Sequence, residues 1–319
     1  MKPYLIDLND PDDCIEKFVD MDYSEGFAKE RMNLLLEILG HEETHEITRS
    51  VFYKDNIAHC HMANHGFETM FVGDGAFEVT VRGRRCVATK GDILHFGTYN
   101  AHGMKWLKDT PWVGFFHKMN ITQPTRDKML LGEKCPELSD AELAEVFSAS
   151  YDLVDLLDPV PVDVPKLEIY EIRPPEFAFA TFEFDGLTMR QKIGRWETDG
   201  MYEIWEFNME DGFRAGDDRP DPNPCVYYVT EGNVRFKVFN DEFTAPKDSI
   251  VYIPHYGIHS FRSEGKSVMF SAMGGAMFFD LISEWKAYEA KAPEKLKGEA
   301  FVNALKKKYN CYFTEWWRA

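Results

Sequence analysis

Six of the ten histidines in this chain of 319 residues fall between positions 59 and 117, and their neighbours point to metal coordination. The densest stretch runs from His59 through Cys60, His61 and His65 to Glu68. Side chains alternate along a β-strand, so His59 and His61 are expected on one face and Cys60 on the other. Glu68 opens the next apolar run and shares a face with Met70 and Val72, while His102 follows the turn after Ile93, Leu94, His95 and Phe96. His59, His61, Glu68 and His102 therefore supply three imidazoles and one carboxylate, a set suited to Fe(II), Mn(II), Ni(II), Cu(II) or Zn(II). Four protein ligands leave one or two positions open for water, a bidentate oxygen substrate or dioxygen, with the metal as Lewis acid and template. Glu68, His65 and His117 are the candidate general bases. Phe71, Phe77, Phe96 and Phe115 are candidates for an apolar wall around the site. His95 is expected to pack, and His41 and His45 lie in a charged loop with no assigned role.

Ligands from separate segments need a scaffold that brings strands together. Residues 22–40 read as a helix, with Asp22 or Ser24 as cap, Leu34, Leu35 and Ile38 as its stripe and Gly40 at its stop. From about 47 to 120, short β-rich runs alternate with Gly, Asn and Asp turns, the pattern of a barrel or sandwich. A second helix is expected over 139–157, where Ser139 and Glu142 form a capping box and Pro159 marks the end. Residues 158–165 form a proline-rich linker. Strands return over 167–273, and the tail from 276 to 310 reads as helical, with Pro293 suited to a first turn. Tyr312, Phe313, Trp316 and Trp317 give the end of the chain an apolar area for docking.

The two β-rich halves repeat one another. Val72 to Val79 parallels Val229 to Phe236, each followed by an aspartate in a turn, an apolar strand and a histidine: Asp92 then His102, Asp248 then His259. A duplication of this kind implies two copies of one barrel.

The residues around these histidines resemble the motifs of the cupin superfamily. His59 and His61 form its H-x-H, Glu68 follows, and six further residues lead to Gly75; Gly91 and Asp92 lead to His102 at the spacing of its second motif. The resemblance implies a mostly β fold of two tandem cupin barrels (double-stranded β-helix or jelly-roll) with flanking α-helices, and His59, His61, Glu68 and His102 as ligands of one divalent transition metal per chain, iron first among the candidates. Two departures stand out: six residues separate His61 from Glu68 where the family has three or four, and Gly97 stands where its second motif has proline. His65 in the longer loop is an alternative ligand to Glu68 or His61. In the second half, Cys225 occupies the position of the glutamate and no histidine precedes it, so that barrel is expected to hold no metal. The organisation expected is a helical segment 1–46, a metal-bearing barrel 47–125, a helix and linker 126–166, a second barrel 167–275 and a helical tail 276–319.

Bulk properties narrow the partners. Thirty-six basic residues stand against 54 acidic ones, a formal charge of −18, which disfavours nucleic acid and anionic membranes as partners. No apolar stretch is long enough to span a bilayer, the N-terminus lacks the apolar core of a signal peptide, and six scattered cysteines fit a reducing cytoplasm. A small-molecule substrate is the expected partner. Three function classes fit such a site: a non-haem Fe(II)-type dioxygenase, a redox-neutral isomerase, lyase or decarboxylase, and a non-catalytic metal or small-molecule binder. The fold hosts all three, so fold alone does not choose. A monomer with internal barrel pairing and a homodimer are both allowed, and the aromatic tail favours the dimer.

Overall fold

The computed structural model describes residues 4–7, 14–18, 23–27, 45–64, 66–117, 137, 139, 142, 153–216, 220–275 and 277–312. These form two compact units, one spanning 14–177 and the other comprising residues from 178 onward together with Tyr4–Asp7. The first strand, β1 (Leu5–Asp7), thus belongs to the second unit.

The first unit begins with the hairpin of β2 (Cys14–Phe18) and β3 (Tyr23–Phe27). Then come β4 (His45–Phe52), β5 (Ile57–Ala63), β6 (Phe67–Val72), β7 (Ala76–Val81) and β8 (Arg84–Thr89). β9 (Ile93–Phe96), β10 (His102–Trp106), β11 (Thr110–His117), β12 (Leu153–Asp155), β13 (Val162–Asp163) and β14 (Ile172–Arg173) complete it. Two sheets result, ordered β12-β5-β10-β7-β8-β13 and β14-β9-β6-β11-β4. Alternation sends Phe77, Val79 and Val81 of β7 into the same buried cluster as Met70 and Val72 of β6, Phe96 of β9, and Met104 and Trp106 of β10. Gly91 has φ +85° and a Cβ there would come within 3.0 Å of Pro175, so the turn before β9 requires glycine. Asp92 closes that turn by accepting Thr89 N at 2.7 Å, and Lys166 holds the same carboxylate oxygen.

Two expected helices are corrected by the strands found there. Tyr23–Phe27 pairs with β2, and Gly26 within it is a poor helix former; the rest of 22–40 lies outside the described residues. Ser139 and Glu142 do exchange the bonds of a capping box. Yet Leu153–Asp155 is a strand against Ala63, Met62 and His61, because the β5 edge offers backbone groups that a helix cannot satisfy.

The second unit contains β15 (Ala180–Phe184), β16 (Leu187–Ile193), β17 (Tyr202–Met209), β18 (Arg214–Gly216), β19 (Cys225–Val238), β20 (Asp241–Pro246), β21 (Ser249–Ile253) and β22 (His259–Gly274). Its sheet runs β1-β21-β19-β22-β17-β16-β15, with β18 also on β22 and β20 also on β19. Register shifts between Val229 and Asn233 let the long β19 pair with β21 in one half and β20 in the other, turning the sheet's corner. The helices α1 (Phe278–Lys291), α2 (Pro293–Leu296) and α3 (Glu299–Lys308) follow, with Pro293 in the first turn of α2. Phe278, Leu281, Ile282 and Trp285 make the buried stripe of α1 and join Trp205, Phe207, Tyr227, Phe236 and Phe261 in one core. Trp316 and Trp317 lie outside the described residues. No helix among the described residues is long and apolar enough to cross a membrane.

Candidate metal centre

β5 sets the centre's composition through its register with β10. His102 lies opposite His61, but Met104 lies opposite Ala58, so three steps along β5 match two along β10. This is a β-bulge, and it breaks the alternation on which an H-x-H pair depends. Ala58 and His61 therefore share the inner face, and Ala58 packs against the buried cluster. His59 turns outward, with a side chain 72% exposed, and its Nδ1 meets Asp158 Oδ2 at 2.7 Å. Asp158 also accepts Cys60 N at 2.7 Å through Oδ1, so one carboxylate clamps both residues of the bulge. These bonds hold the Asp158 carboxyl below its ordinary value. The expected ligand His59 is thus corrected: it stands apart from the other three.

Those three do converge. A nitrogen of His61, a nitrogen of His102 and an oxygen of Glu68 all lie within 4.8 Å of one another. His102 Nε2 is 3.3 Å from Glu68 Oε2, and His61 Nε2 is 4.0 Å from Glu68 Oε1. Each imidazole is oriented from behind. His61 Nδ1 donates to the His59 carbonyl at 2.7 Å and His102 Nδ1 to the Asn100 carbonyl at 2.9 Å. A carbonyl accepts and never donates, so Nδ1 carries a proton in both rings and Nε2 is the nitrogen turned toward the carboxylate. Phe96 stacks on His102 with centroids 3.7 Å apart and planes 6° from parallel, fixing the second ring.

Glu68 is 1% exposed. Burial alone would push its carboxyl up, but His102 and His61 outweigh that and hold it below the ordinary carboxylate range. Both Glu68 oxygens and His102 Nε2 are buried without a hydrogen-bond partner among the described residues, the 3.3 Å approach not being aligned as one. Buried polar atoms left unmatched are costly, and three of them facing one point fit a cation. Ligands about 2.1 Å from one ion lie about 3 Å apart at right angles, close to the 3.3 Å found. His61, Glu68 and His102 can therefore hold a divalent metal.

The other candidates separate clearly. His65 lies outside the described residues. The backbone of His117 ends β11, opposite Phe67 on one side and His45 on the other. His95 is buried on the opposite face of its sheet, with Nδ1 2.8 Å from Thr69 Oγ1. Of the expected walls, Phe77 and Phe96 enter the core, whereas Phe71 and Phe115 meet edge to face at 5.5 Å outside that cluster. In the second unit Tyr227 Oη and His259 Nε2 are 2.7 Å apart, and Cys225 is buried. Asp158 and the two backbone carbonyls escaped the sequence reading, since nothing in their residue types announces a bulge.

No family model matches the chain, and no curated protein matches it. Solved structures do. An 11S globulin from Wrightia tinctoria aligns with a TM-score of 0.56 at 11% identity, over 86% of this chain and 84% of that one. Oxalate decarboxylase from Lactobacillus farciminis gives 0.55 at 12% identity, over 85% and 86%. Both are two-barrel cupin folds aligned across nearly their whole length. This chain has the bicupin fold. Salicylate 1,2-dioxygenase from Pseudoaminobacter salicylatoxidans also aligns, at TM-score 0.52 and 12% identity, over 72% of this chain and 69% of that enzyme. Identities this low speak for the shared fold alone.

Proposed function

We propose that this bicupin is a metal-dependent enzyme acting on a small oxygen-bearing organic molecule, with non-haem Fe(II)-type dioxygenase chemistry. The observation that carries it is the group of His61, Glu68 and His102, in which both Glu68 oxygens and His102 Nε2 are buried with no hydrogen-bond partner among the described residues. Two imidazoles and one carboxylate are the donor set associated with non-haem Fe(II) oxygenases, and these residues would hold such an ion. The loss of His59 from the set strengthens this reading, since it leaves room for a substrate that chelates through two oxygens. A metal bound there supplies Lewis-acid polarisation and, as iron, access to dioxygen chemistry.

The chain's own residues do the rest. His59 and Asn100 carbonyls keep both rings in the ligating tautomer. Glu68 stays ionised, and so contributes a full negative charge at neutral pH. Phe96, stacked on His102, covers one side, while His61, less buried than its partners, marks the side open to substrate.

A redox-neutral reaction such as decarboxylation is the second reading, favoured by the likeness to oxalate decarboxylases, one of them described with Mn(II) centres. Metal analysis of the purified protein followed by oxygen uptake with diketones, phenols and thiols separates the two. Iron with substrate-dependent oxygen consumption supports the dioxygenase. Manganese or zinc without consumption supports the redox-neutral reaction. Protein that takes up no metal on reconstitution refutes both.

A further inference from the structure

The outer face of the second barrel carries a row of like charges that the metal centre does not explain. Arg214 on β18 is the direct cross-strand partner of Arg262 on β22, and Arg262 is in turn the partner of Arg235 on β19. All three are exposed. Cations directly opposite one another oppose strand pairing, and this chain has far more acidic than basic residues, so composition does not account for three in one row. In the neighbouring row, Lys237 pairs with Ser260.

Compensation is uneven. Arg235 Nε bonds Glu242 Oε1 at 2.8 Å, and its Nη1 lies 3.8 Å from Glu264 Oε1. The side chains of Arg214 and Arg262 have neither a hydrogen bond nor an ion pair among the described residues, although Asp211 is close by. Asp211 instead accepts Gly265 N at 2.8 Å through Oδ1. The row lines a groove of about 1100 Å³.

Adjacent strands lie about 4.8 Å apart, so neighbouring guanidinium groups can grip one anion that bridges them. A planar guanidinium fork matches the oxygens of phosphate and carboxylate. A lone carboxylate would engage a single fork; a di- or polyphosphate carries enough charge and oxygens for two. The flanking Asp211, Glu242 and Glu264 would repel a long polyanion, which excludes an extended nucleic acid track. We infer that this groove binds a small molecule bearing a di- or polyphosphate group, held between Arg214 and Arg262 with the Ser260 hydroxyl and Lys237 alongside.

Inorganic pyrophosphate is the probe. Calorimetric titration uses the full chain, treated with a chelator so that the metal centre cannot take up the anion, at near-physiological salt. Saturable binding is expected, tighter than for orthophosphate, and weakened by at least about tenfold in the R214Q/R262Q double variant. Arg84→Gln, which alters a pair with Glu168 in the other unit, should leave it unchanged. Thermal melting should place the double variant at or above the parent, because opposed cations are removed. If it fails to fold, R262Q alone carries the same expectation. The inference is overturned by absence of saturable binding, by equal binding in the arginine variants, by an equal loss in R84Q, or by tighter binding of a single-stranded oligonucleotide than of pyrophosphate.

Discussion

Glu203 makes the stability of the second unit depend on pH in a direction opposite to most carboxylates. It is fully buried on β17. Its Oε2 accepts Trp205 Nε1 at 2.8 Å, Phe279 N at the start of α1 at 3.1 Å, and Gln191 Nε2 at 3.3 Å. Burial pushes its carboxyl from 4.5 up to about 7, and Asp280 adds to the rise, against the Trp205 and Phe279 donors and Arg195. The folded chain therefore holds this proton more tightly than the unfolded chain. The resulting stability is complete below about 4.5 and is lost as pH rises through about 7. That interval corresponds to roughly 3 kcal/mol. Glu203→Gln copies the neutral acid, with its amide oxygen able to take the place of Oε2 and keep all three donors. The stability of E203Q relative to the parent should thus rise by about 3 kcal/mol between pH 4.5 and about pH 8.5. Urea unfolding of both proteins across this range measures it, and the indole of Trp205 offers a direct optical probe of the titration. A difference between the two proteins that stays constant across the range would refute the reasoning.

Two further predictions follow from the ligands and the buried charges. Replacing His102 by alanine should lower metal affinity by more than about 100-fold, whereas His59→Ala should keep full metal content, both read by elemental analysis after dialysis. Loss of metal in H59A would return His59 to the ligand set. Lys192, buried with its Nζ 2.8 Å from Glu206 Oε2, should cost about 2–4 kcal/mol in urea unfolding when changed to methionine. Arg190, 2.9 Å from the other Glu206 oxygen, keeps that loss from being larger.

The barrels themselves were legible because β-strand periodicity and turn chemistry are local. Phe77, Val79 and Val81 alternate inward as their spacing says, and the Gly91–Asp92 turn is demanded by a positive φ and a side-chain bond to Thr89. The stripe of α1 was readable for the same reason. Where the readings over 22–40 and 139–157 failed at Tyr23–Phe27 and Leu153–Asp155, the deciding partner was a strand distant in sequence or joined by register, which helix signals do not encode.

The metal centre divides along the same line. Residue types and the motif resemblance placed His61, Glu68 and His102 among the candidate ligands, together with His59 and with His65 as an alternative. Strand alternation put His59 on the face of His61, where the structure has Ala58 instead. That choice rests on one extra residue in the pairing of β5 with β10, and on Asp158 reaching from 98 positions away to hold Cys60 N. A side chain's face is set by the strand beside it, and a single bulge reverses it. The sequence by itself determined which donors were available; the register between strands determined which of them meet.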